Sequence, residues 1–475
     1  MRIRLPLILS AAGALASVLA FAQPALSPKT PEAIDAAVEE LLGRMTLEEK
    51  LGQMSQPSRQ PLATHIEENK ALIRRGAAGS ILNATNREQV EEFQRVAVEE
   101  SRLKIPLIFG LDVIHGYRTL FPIPLAQSCS WNPDLVQQAA RIAAVEATSE
   151  GVRWTFAPMV DLSRDPRWGR IAETVGEDPL LASRLGAAMV RGFQGDDLSS
   201  PTSLLACAKH YVGYGAAEAG RDYNTTLIPD TELRNYYLPA FKAAKDAGVL
   251  TYMSAFNDLN GVPTSANPRT LRKILRDEWG FRGFVVSDWT SVDELIPHGF
   301  AADGRDAAQR AISAGVDMEM VSTHYRDHGA SLVASKELDL KTIDDSVRSI
   351  LRVKFQLGLF EKPYTDPATP RTSKNPLNLE HLKVARELAT QSMVLLKNEG
   401  ARLPLPTSLK SLAVIGPLAD SGDDMRGCWF CESSPGDTIT PLAALKTAVG
   451  PQTKIIHSAG LKTDIDESTT GFDAA

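Results

Sequence analysis

Asp288 lies in VVSDWTSV, directly after an apolar run and directly before Trp289. A carboxylate at a strand end beside an indole suits covalent chemistry on a sugar: the carboxylate attacks an anomeric carbon and the aromatic face stacks on a ring. A helix-capping aspartate is the structural alternative. Lys209 and His210 stand side by side in CAKHYVGYG. Two adjacent donors at one strand end suit an anionic or hydroxyl-rich ligand: sugar hydroxyls, a phosphate, or a metal held through His210 alone. Successive strand residues point to opposite faces, so this spacing turns one of the pair toward the wall behind the site. Asp165, Arg167 and Arg170 crowd the RDPRWGR loop. The Arg170 fork can hold a hydroxyl, pin a carboxylate or close a loop salt bridge. Gly213, Gly215 and Gly220 lack the spacing of a phosphate loop, and the sequence has no HExxH and no GxSxG elbow. Nucleotide binding and α/β-hydrolase chemistry are therefore disfavoured.

The elements that must position these groups alternate. Apolar runs recur at 80–82, 106–111, 154–160, 204–208, 249–253, 283–286 and 316–320. Apolar residues at helical spacing fill 31–54, 89–102, 134–150, 180–193, 231–247, 270–279 and 304–314 between them. Thr270 and Gly280 bound one of these helices. Such alternation implies parallel strands with crossover helices, either in a (β/α)8 TIM-like barrel or in an open doubly wound sheet. The polar residues favour the barrel. Asp112 follows PLIFGL, Asp161 follows WTFAPMV, Lys209 and His210 follow LLACA, and Asp288 follows GFVVS. A barrel brings the carboxyl ends of all its strands to one face, where active sites are built. A last helix over 342–357 opens on Thr342 and Asp345 as a capping box. The barrel domain accordingly spans 23–360, followed by a Pro-rich linker at 361–378 and the start of a second α/β domain over 379–475, with a helix at 379–396, strands at 412–417 and 453–458, and a helix at 442–448.

The chain has 475 residues, 43% hydrophobic and 23% charged, which fits an ordinary globular protein of two or three domains. Fifty-one basic against 58 acidic residues give a net charge of −7 without a long basic run, which argues against a nucleic-acid partner. Arg2 and Arg4 precede an apolar run over 5–21 that ends in Ala20-Phe21-Ala22. This reads as a signal peptide over 1–22, cleaved near Ala22, of an exported protein with no membrane anchor after cleavage. Four cysteines are too few for a disulfide scaffold. Cys428 and Cys431 read as a local disulfide or two free thiols, and Cys129 and Cys207 as core residues.

GLDVIHGYRTLFPIPLAQSCSWNPDLV, FAPMVDLSRDPRWGRIAETVGEDP, KHYVGYGAAEAGRDYN, TYMSAFNDLNGVP, LRDEWGFRGFVVSDW and AGVDMEM occur in that order. With them the sequence resembles glycoside hydrolase family 3 over nearly all of the mature chain. The resemblance implies that the second domain, over 379–475, is the start of an α/β sandwich. It also implies a periplasmic, retaining, exo-acting β-glucosidase acting on oligosaccharides or aryl β-glucosides; nothing in the sequence implies a metal or an organic cofactor. By resemblance Asp288 is the nucleophile, and Asp112, Arg170, Lys209 and His210 hold the hydroxyls of the terminal sugar. Arg118 and Met253 match flanking positions of that pocket, and Trp289 matches the aromatic of the neighbouring subsite. Two departures stand out. Phe256 replaces a tyrosine found in many relatives. The general acid/base of such relatives is a Glu of the second domain, further along than residue 475, so the resemblance also implies a piece of a longer parent. A saccharide-binding fragment impaired in catalysis is the alternative.

Overall fold

The computed structural model describes residues 30–58, 65–406 and 408–475. The leader expected over 1–22 lies outside the described residues. Among the described residues no helix is long and apolar enough to cross a membrane.

Eight short parallel strands form the interior: β1 (Ser55–Gln56), β2 (Ser80–Leu82), β3 (Ile108–Leu111), β4 (Trp154–Thr155), β5 (Cys207–Tyr211), β6 (Thr251–Ser254), β7 (Phe284–Val286) and β8 (Glu319–Met320). β2 pairs with β3, and β3 with β4. Bridges from Trp154 to Leu205 and from Met159 to Lys209 join β4 to β5. β5 pairs with β6, and β6 with β7. The Val286–Met318 bridge reaches β8, β8 pairs with β1, and the Ser58–Leu82 bridge returns to β2. None of the eight is an open edge, whereas an open sheet would leave two. All residues of these strands are buried, so they read as apolar runs rather than as alternating patterns.

The interior is fitted around Trp154. Its ring centroid lies 4.8 Å from that of Phe156 and 5.2 Å from that of Phe284, and its Nε1 donates to Thr251 Oγ1 at 2.9 Å. Gly110 on β3 makes room for Phe156, because a Cβ there would come within 2.7 Å of the Phe156 ring. The run at 154–160 forms a strand only over Trp154–Thr155. Pro158 within it has no N–H to give to a ladder.

Local capping moves several helix boundaries away from the sequence expectation. The pattern over 31–54 divides into Pro31–Arg44 and Leu47–Gln53, because Thr46 and Glu49 form a capping box that starts a new helix. The last helix before the linker begins at Leu340, where Asp339 accepts from the Lys341 N–H; Thr342 lies inside its first turn. Asn267, rather than Thr270, caps the helical turns at Arg269–Glu278 by accepting from the Arg269 and Thr270 amides.

The segment 361–378 is strapped down. Arg87 donates to the carbonyls of Thr365, Asp366 and Thr369, and Gln94 donates to that of Pro363. Arg371 reaches Glu150, which is buried, and Glu88. Beyond the strap come the helix Leu379–Gln391, strand β9 (Ser411–Ile415), the helix Pro441–Ala448 and strand β10 (Lys454–Ser458). β9 and β10 pair in parallel. The helix expected to reach residue 396 stops at Gln391, and Met393 to Leu396 are exposed.

Glu150 takes charge-assisted bonds from Arg371 at 2.8 and 3.1 Å and from Ser373 at 2.6 and 3.0 Å. Arg371→Met would leave that carboxylate buried without its cation and should cost about 3 kcal/mol in urea unfolding. Adding Glu150→Gln should recover part of the loss. An additive double mutant would show that the pair does not hold the strap.

Candidate active site

Asp288 stands two residues beyond the end of β7. It is only 7% exposed. The Trp289 N–H donates to its Oδ1 at 2.7 Å. Its Oδ2 has no hydrogen-bond partner and lies 3.3 Å from His210 Nε2. Burial pushes the carboxyl up to about 6, against the pull of Arg170, Lys209 and the Trp289 amide.

Lys209 and His210 both reach this place from β5, contrary to the alternation expected of neighbours in a strand. The pairing of β5 with β6 shifts register between Ala208 and Tyr211, so the regular alternation breaks at these two residues. Lys209, 2% exposed, bonds Asp112 Oδ1 through Nζ at 2.6 Å. His210 Nδ1 lies 2.8 Å from Asp161 Oδ2, and the His210 backbone N–H donates to the same oxygen at 2.7 Å. Burial, with Arg170 and Lys209 nearby, holds the imidazole well below its usual range, so it is neutral.

Arg170 comes from the turn Gly169–Glu173. Its guanidinium grips Glu173 through Nε at 2.8 Å and through its second terminal nitrogen at 3.1 Å, and lies 5.5 Å from the Tyr214 ring centroid. Against the cost of burial, Glu173 holds Arg170 above its usual range. Met253, paired with Val286 across β6 and β7, is a buried apolar neighbour with no polar role. Trp289 is 39% exposed and faces solvent beside Asp288. Arg118 is not part of the charged cluster: it pairs with Asp437 and leaves its backbone N–H to Glu146. A cavity of about 660 Å³ lies elsewhere, under the strap, with Leu107, Arg153 and Pro370 in its wall.

Buried charges around an aspartate at converging strand ends also fit many unrelated enzymes. Comparison with known proteins decides among them. Residues 46–353 match the N-terminal domain of glycosyl hydrolase family 3, and residues 393–473 match its C-terminal domain. The chain belongs to glycosyl hydrolase family 3. It is 42% identical over 460 residues to the periplasmic beta-glucosidase of Salmonella typhimurium, covering 95% of this chain and 60% of that protein. It is 35% identical over 432 residues to a beta-xylosidase of Formosa agariphila, covering 85% of this chain and 59% of that protein. A mutant beta-glucosidase from Listeria innocua in complex with laminaribiose superposes with a TM-score of 0.85 at 38% identity, over 90% of this chain and 61% of that one. The chain thus spans about three fifths of the length of these relatives.

The part that matches the family's C-terminal domain meets the charged cluster through residues 428–437. The Trp429 ring centroid lies 5.5 Å from Lys209 Nζ. Cys431 Sγ donates to the Asp112 carbonyl at 3.4 Å, and the Glu432 N–H donates to the Tyr117 carbonyl at 3.0 Å. The Cys428 carbonyl meets His115. Cys428 and Cys431 are free thiols, as are Cys129 and Cys207. Cys207 is buried as expected, but Cys129 is exposed: it falls just beyond the short helix Pro124–Ser128, at the open end of a turn. Phe256 packs on Tyr223 and Tyr214, with ring centroids 4.3 and 5.8 Å away.

Sequence reasoning gave Asp161 a place at a strand end but no role, and it passed over Glu173, Tyr214 and Trp429. The signal for Asp161 was available, since it follows its apolar run just as Asp112 follows its own. Nothing local marks Trp429, which meets Lys209 across more than two hundred residues of chain.

The Arg118–Asp437 pair joins residues 428–437 to the first region, and the half-buried Cys431 thiol is engaged with the Asp112 carbonyl. Asp437→Ala should therefore speed alkylation of Cys431 about tenfold, the effect of one lost bond between charged groups. Peptide mass mapping reads this out, with Cys129 as an internal standard. An unchanged rate would mean that the pair does not hold the segment.

Proposed function

We propose that this chain carries the centre of a retaining, exo-acting β-glycosidase, a β-glucosidase that forms a covalent glycosyl ester on Asp288 from terminal non-reducing β-D-glucosyl residues. The observation that carries this reading is the free Oδ2 of a buried Asp288, beside the exposed face of Trp289 and among Lys209, His210, Arg170 and Asp112. The names of the Salmonella and Listeria relatives support glucose as the sugar. The reading places the nucleophile on a (β/α)8 TIM-like barrel over 23–360, with the strap over 361–378 and an α/β sandwich region over 379–475, in an exported, periplasmic protein.

Asp288 Oδ2 attacks the anomeric carbon while the bond to the leaving oxygen breaks. Arg170 and Lys209 are each engaged with another carboxylate. They favour the Asp288 carboxylate through space without occupying its attacking oxygen. Lys209 keeps N–H groups beyond its bond to Asp112 for sugar hydroxyls, and Asp112 offers its second oxygen as an acceptor. Trp289 and Trp429 supply aromatic faces for apolar sugar surfaces. By family resemblance, the proton for the leaving oxygen and the later activation of water belong to a Glu of the second domain. Such a group contributes about 10²–10⁴-fold. A leaving group that needs no proton bypasses that step.

Incubation of the 475-residue chain with dinitrophenyl 2-deoxy-2-fluoro-β-D-glucoside should release dinitrophenolate and add one fluoroglucosyl group to the peptide containing Asp288, and Asp288→Asn should abolish the addition. A folded chain that binds glucose but never labels would instead support a saccharide-binding role without catalysis.

The pH dependence follows from the raised Asp288 pKa. The attacking form is the carboxylate, populated above about pH 6. The labelling rate should be level above that value and fall about tenfold per unit below it. An inflection near 4, the ordinary value, would show that burial does not govern Asp288.

A further inference from the structure

We infer that Asp161 is a positioning residue: it fixes neutral His210 as the Nδ1–H tautomer, so that Nε2 presents a lone pair beside Asp288 Oδ2 and requires a donor from whatever fills the site. The identity of that donor, a sugar hydroxyl, rests on the glycosidase reading; the tautomer does not.

Two contacts to one oxygen carry the inference. The His210 backbone N–H can only donate, and it donates to Asp161 Oδ2 at 2.7 Å. That oxygen is therefore an acceptor, and the hydroxyl oxygen of a protonated carboxyl would accept such a bond poorly. His210 Nδ1 lies 2.8 Å from the same oxygen. With Oδ2 as acceptor, Nδ1 must carry the hydrogen. Asp161 Oδ1 has no partner and is the place for any proton the carboxyl holds. Burial pushes that carboxyl up to about 8, against the His210 amide, Arg170 and Lys209. Oδ2 accepts from His210 in either state.

Burial, with the positive charges of Arg170 and Lys209 nearby, leaves Nε2 unprotonated. Asp161 faces it from beyond β4, Asp288 from beyond β7, and Lys209 from its own strand. Arg170 and Glu173 approach from the turn after β4, and the Tyr214 ring stands edge-on with its centroid 5.2 Å away. Nε2 has no hydrogen-bond partner and lies 3.3 Å from Asp288 Oδ2, which has none either. Two acceptors facing each other in a dry site repel unless a hydrogen lies between or beside them. A ligand hydroxyl supplies that hydrogen to Nε2 and leaves Oδ2 free to attack. An ether or fluorine at the same place cannot.

Nitrogen-15 spectra of the histidine-labelled chain test this directly, with the His210 signals assigned by their loss in His210→Asn. At pH 7 they should show a pyrrole-type Nδ1 and a pyridine-type Nε2. Asp161→Ala should populate the Nε2–H form, whereas Asp161→Asn, whose amide oxygen still accepts, should keep the Nδ1–H form. An Nε2–H ring or an imidazolium in the unsubstituted chain at pH 7 would overturn the inference, even if Asp161→Ala does not fold. Labelling of Asp288 should slow about 10–100-fold in Asp161→Ala, the usual cost of losing an outer partner of a working histidine, and recover in part in Asp161→Asn. The Nδ1–H tautomer without any adduct on Asp288 would defeat the glycosidase reading alone. Adducts on Asp288 with an Nε2–H ring would defeat the positioning role alone.

Discussion

A carboxylate kept dry and still able to ionise is the constraint on which the rest of this structure depends. Burial alone favours the neutral acid, and a direct salt bridge would tie up the attacking oxygen. The site avoids both outcomes by pairing its cations elsewhere. Lys209 is held by Asp112 and Arg170 by Glu173, so two buried pairs balance within themselves. Their positive ends still act on Asp288 across a medium of low polarity, where such fields reach further than in water. The neutral His210 adds no charge to the sum. Asp288 is left with one oxygen bonded to the Trp289 amide and the other bare.

That balance requires groups from separate parts of the chain to meet within a few ångströms. The parallel strands meet the requirement because their carboxyl ends lie on one side of the ring of pairings. Asp112 follows β3, Asp161 and Arg170 follow β4, Lys209 and His210 close β5, and Asp288 follows β7. Tight packing beneath them fixes the strand heights. Trp154 spans the interior to Thr251, and Gly110 admits Phe156 without displacing β3. The shift of register in β5 is the local irregularity that this packing tolerates, and it serves the site by presenting two consecutive side chains to it.

Most of this was legible in the sequence because its physics is local or repeats along the chain. Buried parallel strands leave apolar runs, and a charged residue directly after such a run marks a strand end. The residues singled out as Asp112, Lys209, His210 and Asp288 do meet, and Arg170 joins them. What failed was what depends on neighbours distant in sequence or on the competition between nearby caps. Strict alternation misplaced one of Lys209 and His210, because a register shift leaves no mark in composition. Asp339 captured the cap that Thr342 offered, three residues earlier. Arg118 carries the same charge as Arg170 but answers to Asp437, over three hundred residues away. The pairing of Asp161 with His210 needs two strands brought side by side before it means anything.

The contacts of residues 428–437 follow from the same charge balance. This segment does not simply lie over the site; it binds the residues that the balance uses. Cys431 donates to the carbonyl of Asp112, whose side chain holds Lys209. Trp429 sets its ring over Lys209 itself. Both members of the Lys209–Asp112 pair are therefore touched by the second region. Moving that region away would open the Lys209–Asp112 pair to water and weaken the field that Lys209 sets at Asp288. The two family regions thus meet at one of the two ion pairs whose cations act on Asp288.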